Sequence, residues 1–184
     1  SKMYQQNGLC MKVEISYLEG YCEIENDPYS GLMSQNLDSS SLLFEFRKYW
    51  NQNRQDVHRT VAHLFTATGM SDRYIGRGYG AAICMKASAY SVNQITWSPS
   101  LQRKAALVAH ELGHNVGANH IDTDNSRRLS TTDIDTANSR CVNKAGDFIM
   151  NSVIGAGTAG FHATSVQSMR EVVNSRTCMR KELV

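Results

Sequence analysis

Three histidines, a glutamate and a glycine hold fixed places in the run His110-Glu111-Leu112-Gly113-His114-Asn115-Val116-Gly117-Ala118-Asn119-His120. These residue types suit one task. Neutral imidazole is a good zinc ligand, and a carboxylate beside the ion can take a proton from water. Residues four apart on a helix lie one above the other, so His110 and His114 project from one face and can share a metal, with Glu111 one position round. A continuous helix would carry His120 about 15 Å past His110, whereas zinc needs each nitrogen about 2.0–2.1 Å away. The helix must therefore stop between them. Gly117, free to take a left-handed backbone, is the expected reversal point and is predicted to have a positive φ.

Three protein ligands leave the fourth tetrahedral position open to solvent, as catalytic zinc sites do and structural ones do not. The chemistry implied is hydrolysis of a peptide bond, with the ion activating water and Glu111 acting as general base. A zinc that only held the fold would have no use for Glu111. His58, His63 and His162 fit no ligand spacing and read as ordinary surface or core residues.

The elements that must position this motif follow from local patterns. Ser98-Pro99 reads as the start of the helix bearing the histidines, with serine as cap and proline in the first turn. Ala105, Ala106, Val108, Ala109 and Leu112 make that helix apolar over much of its surface, as expected of one running through a domain. Upstream, Val13, Ile15 and Tyr17 alternate and predict a strand over residues 10–17. Asp38 or Ser39 can cap a helix whose core stripe is Leu42, Leu43, Phe46, Tyr49 and Trp50, ending near Asn51. Residues 60–66 read as a short strand, 75–80 as a glycine-rich turn, and 81–85 and 88–97 as extended. Gly76-Arg77-Gly78-Tyr79-Gly80 lacks the spacing of a dinucleotide loop. Residues 122–139 read as a polar surface loop. There Asp122, Asp124, Ser126 and Asp133 match positions of a calcium loop, but Arg127 replaces its glycine and position 12 is not Glu, so structural calcium lacks support. Val166, Met169, Val172 and Val173 mark a closing helix over 164–175.

A chain of 184 residues fits a single domain, residues 1–184, with an upper part over about 1–117 and a lower part over about 118–184. Nineteen basic and seventeen acidic residues give a net charge of +2, with no basic cluster interleaved with aromatics, so nucleic acid is not an expected partner. No apolar run is long enough to cross a membrane, and Ser1-Lys2 reads as a processed terminus. The five cysteines, Cys10, Cys22, Cys84, Cys141 and Cys178, contain no C-x-x-C pair. They point to disulfides and hence to a secreted protein, with one thiol left over and about 15 arrangements open.

The long histidine motif, followed by Ile149-Met150-Asn151, resembles the metzincins. The neighbouring Val153-Ile154, with Ala62-His63-Leu64-Phe65-Thr66 and the glycine-rich approach to Cys84, is most similar to the adamalysin or reprolysin group, which includes snake-venom and membrane-anchored shedding proteases. The likeness extends over about residues 57–178. It implies an α+β domain, sandwich-like in its α/β/α layering, with a twisted mixed sheet, an active-site helix and a small C-terminal subdomain carrying the last helix. It implies that Met150 forms a turn beneath the three histidines without binding the metal. It further implies zinc as cofactor and a Cys84–Cys178 disulfide. Peptide or protein substrates would lie as an extended strand along an antiparallel edge strand, placed at about 88–94, with Ser88, Ala89, Tyr90, Ser91 and Val92 as contacts. The pocket wall would include Ser152, Val153, Ile154 and Gly155. An inhibitory propeptide belongs among the partners such a protein could have. Ile121 stands where the group usually has Asp, Phe148 replaces a common cysteine, and Ser152 removes the extra tyrosine ligand of astacins and serralysins. The reading is a secreted zinc endopeptidase. The rivals are a binding module or toxin fragment of the same fold with irrelevant cleavage, and an exopeptidase that needs a free substrate terminus.

Overall fold

A computed structural model describes residues 11–33, 36–121, 148–154 and 160–179. The polar loop read over residues 122–139, Gly155, Cys10 and Cys141 lie outside the described residues.

Helix α1, Ser30–Met33, follows a 3-10 turn at Ile24–Asn26. Helix α2, Ser39–Asn53, begins where the Asp38 side chain accepts a hydrogen bond from the Ser41 amide, which satisfies one of the amide groups left over at a helix start. It runs two residues past the expected end. Strands β1, Ala62–Thr66, β2, Gly76–Gly78, and β3, Tyr90–Gln94, form one sheet in the order β1-β3-β2. Strand β1 runs parallel to β3, with Leu64 opposite Val92, and β2 runs antiparallel to it, with Arg77 opposite Val92. Helix α3, Leu101–Asn115, carries the first two histidines, and α4, Ala163–Asn174, closes the described chain.

The architecture is mixed α+β. Leu42, Leu43 and Phe46 of α2 bury themselves against Ala62, Tyr90 and Val92 of the sheet. By alternation Ser91 faces the other way. There α3 approaches, and the Asn115 side chain donates to the carbonyls of Tyr79 and Tyr90. A second core lies under α3, where Ala109, Leu112 and Val116 meet Ile149, Met150, Phe161, Val166 and Met169. Cys84 and Cys178, the pair implied by the resemblance, are joined by a disulfide with Cα atoms 5.9 Å apart. Cys22 is exposed and unpaired.

Several local expectations need correction. Described residues 11–22 form no strand, although their apolar residues alternate. Among the described residues no strand pairs with them as a ladder, and Ile15 remains 82 % exposed. The segment is held by side chains instead: Ser16 donates to the His58 carbonyl, Glu19 accepts two hydrogen bonds from Arg54, and Tyr17 meets the Trp50 ring edge to face. Residues 76–78, expected to be a turn, are a strand, while 81–85, expected to be extended, are a turn region in which Ala81 and Cys84 have positive φ. That region ties the sheet to the helix, because the amides of Ala81 and Ile83 donate to the carbonyls of His114 and Asn115 at the end of α3. The cap of α3 is Ser100, not Ser98. Its hydroxyl accepts from the Arg103 amide, so Pro99 precedes the helix rather than occupying its first turn.

Candidate metal and active site

Ten residues separate His110 from His120, and the chain closes that distance by ending α3 abruptly. The Gly117 amide donates to the His114 carbonyl and the Ala118 amide to the Gly113 carbonyl, both at 2.9 Å. This pair of bonds is the Schellman arrangement, which requires a left-handed residue, and Gly117 has φ 103°. The close approach of α4 adds a second demand, since a Cβ at Gly117 would lie 3.2 Å from that of Val172.

The reversal brings the three rings together. His120 Nε2 lies 3.0 Å from His110 Nε2 and 3.1 Å from His114 Nε2. Two nitrogens bound tetrahedrally to one zinc ion would be separated by about 3.3 Å, so the spacing fits a shared metal. The outer nitrogens are oriented by backbone. His110 Nδ1 donates to the Ile149 carbonyl, and His114 Nδ1 donates to the Ala118 carbonyl at 2.9 Å. Each bond places the proton on Nδ1 and leaves the Nε2 lone pair directed at the shared point, the tautomer that metal ligation requires. Burial, and then the neighbouring His120, pushes the His114 ring down to about 4, although its bond to Ala118 works against this. Among the described residues these three histidines are the one group of side chains disposed to hold a metal ion.

Glu111 is 4 % exposed, and its Oε2 has no hydrogen-bond partner. Burial pushes its carboxyl up to about 8, opposed only by the positive charge of Arg77. A buried carboxylate oxygen left without a donor is costly. Here the unfilled acceptor belongs to the residue that follows His110 on α3. Met150 is fully buried below them. A Cβ built on Gly113 would come within 2.5 Å of its sulfur, so the thioether sits in the notch which that glycine leaves in α3. The turn is pinned from both sides: Asn151 N donates to Phe148 O, and Ile121 N, one residue beyond His120, donates to Met150 O.

The expected substrate strand is overturned. Ala89, Tyr90, Ser91 and Val92 are buried at 0–2 % exposure, and β3 has β1 on one side and β2 on the other. A central strand has no free backbone groups to offer a peptide, and this excludes the contacts placed on Tyr90, Ser91 and Val92; Ala89 is buried just before the strand, and the half-buried Ser88 lies outside it. The antiparallel edge strand is β2, Gly76–Gly78. Its alternate glycines look like a turn in sequence, and only their period of two hinted at a strand. Arg77, between them, donates through Nε to the Ser39 hydroxyl, which in turn donates to Asp72. Of the pocket-wall residues, Ser152 and Val153 are exposed, while Ile154 packs with Ala106 and Leu107 of α3.

Comparison with known proteins agrees with this geometry. Residues 4–164 match the family model described as Metallo-peptidase family M12. Over 138 residues, 67 % of this chain and 68 % of the relative, the sequence is 27 % identical to the snake venom metalloproteinase trimerelysin-2 of Protobothrops flavoviridis.

Proposed function

Because the chain belongs to the M12 metallopeptidase family, we propose that it is a secreted endopeptidase in which His110, His114 and His120 hold zinc and Glu111 is the general base. The observation that carries the reading is the convergence of three Nε2 atoms, two of them on rings set by backbone carbonyls, on a helix that also carries a buried carboxylate with an unfilled acceptor. Zinc held there supplies Lewis acidity toward water and toward the scissile carbonyl. Glu111 accepts the proton of the attacking water on an Oε atom and returns it to the departing amine nitrogen. The Ile149 carbonyl sets the His110 ring, and Met150 fills the notch at Gly113 under the helix.

An extended substrate is placed along the outer edge of β2, where a peptide can add a strand through main-chain hydrogen bonds that are indifferent to sequence. The position of β2 at the end of the sheet, next to Glu111, supports this. Side-chain selection would fall to the wall formed by Ser152, Val153 and Ile154, opposite α3. The subdomain boundary is placed at Gly117. The Cys84–Cys178 disulfide and the venom relative support an extracellular setting. Among the described residues no helix is long and apolar enough to cross a membrane.

The experiment is digestion of a mixed peptide pool by the zinc-loaded protein, with sequencing of the products. Cuts at internal bonds are expected. Release of terminal residues alone would replace the reading with an exopeptidase, and no cleavage would leave only a binding role.

A further inference from the structure

The edge strand touches the base directly. A Cβ built on Gly76 would lie 2.9 Å from both Cγ and Cδ of Glu111, and closer still to Oε1. Real side chains do not approach so closely, so no other residue fits at this place without displacing the carboxylate. Two positions on, a Cβ at Gly78 would meet the main-chain oxygen of Glu111 at 2.8 Å. The two glycines therefore press the strand onto one residue of α3, one against its side chain and one against its backbone.

Glu111 has few other restraints. Its Oε2 has no partner, Arg77 acts on it only through charge, and neither of its carboxylate oxygens appears in a hydrogen bond. With no donor to fix the carboxylate, its direction is set by what it packs against, and Gly76 is one such surface. We propose that Gly76 is a positioning residue for Glu111: the absence of a side chain there is what lets the carboxylate lie against β2. The proposal rests on the hydrolase reading given above, but its structural half does not depend on activity.

The test is a double-mutant cycle on the whole protein with two readouts. Gly76→Ala should lower the melting temperature by about 5 °C in the otherwise native protein, as an overpacked methyl does, and by much less when combined with Glu111→Ala, which removes the obstructing carboxylate. Gly78→Ala meets main chain and should cost the same in both backgrounds. If Gly76→Ala alone fails to fold, recovery of folding in the double variant reports the same coupling. In the zinc-loaded protein, Gly76→Ala should lower kcat by about 10²-fold, as a misplaced catalytic group does, with KM within about threefold. Equal destabilisation in both backgrounds would overturn the proposed contact, and an unchanged kcat would overturn the positioning role. An inactive native protein would overturn the hydrolase reading, while the stability cycle would still decide whether Gly76 shapes the Glu111 side chain.

Discussion

The His110 ring is hydrogen-bonded through Nδ1 to the main-chain carbonyl of Ile149, thirty-nine residues further along. One turn thus does two jobs: it seats Met150 under the helix and sets the rotation of a ring at the centre of the site. Met150→Ala removes a fully buried side chain from the notch at Gly113 and should cost about 2–5 kcal/mol. Zinc affinity should fall by about 10–100-fold as the His110 partner shifts. Met150→Leu, close in volume, should cost less than about 1.5 kcal/mol. Thermal melts and chelator competition measure both, and equal losses for the two variants would show that volume is not what the turn supplies.

Ligand and base separate by metal content. Glu111→Ala should retain zinc and lose activity by about 10²–10⁴-fold, because it removes proton transfer and leaves the ring nitrogens in place. His114→Ala should lose the metal itself. Metal analysis after dialysis, set beside turnover of one peptide, distinguishes the cases; loss of zinc from the glutamate variant would mean that Glu111 is a ligand.

Gly117→Ala should destabilise by at least about 1–2 kcal/mol, the cost of a left-handed backbone with a Cβ, before any contact with Val172 is counted. Gly80→Ala is the comparison, since open space surrounds that position. Urea unfolding of the two variants should differ accordingly, and similar midpoints would contradict the helix-ending role.

His63 predicts a pH dependence unrelated to catalysis. Its Nδ1 accepts from the Ser91 hydroxyl at 2.5 Å, and burial pushes the ring from the ordinary 6.5 down to about 4. Between those values the unfolded chain binds a proton that the folded chain does not. Stability therefore rises with pH across the window, is fully present above 6.5, and is lost as the pH falls toward 4. The contribution is at most about 3 kcal/mol. His63→Gln should flatten urea-unfolding stability against pH in that interval by up to one proton's worth of slope; an unchanged slope would mean the ring is already charged in the folded state.

The site was legible in sequence where its logic is local. Spacing along one helix fixes His110, Glu111 and His114, and the need to reverse direction before His120 singles out Gly117. The edge strand was not legible, because Gly76 and Gly78 are there for what lies against them, and a residue 35 positions away leaves no mark in a local pattern. The alternation of Val13, Ile15 and Tyr17 misled for the converse reason: a period of two describes a surface with two faces, but a strand exists only where another backbone pairs with it. The cap of α3 moved from Ser98 to Ser100 because two serines flank Pro99, and the one that reaches the Arg103 amide takes the role.

The covalent link between Cys84 and Cys178 encloses the three histidines, Glu111 and Met150 within a single ring of backbone, with the edge strand β2 just outside it. A proteolytic nick anywhere inside that ring opens a loop without releasing a fragment. A molecule cut once within that ring by one of its own copies would therefore keep its full mass on a non-reducing gel and fall into two pieces only once a thiol reductant is added.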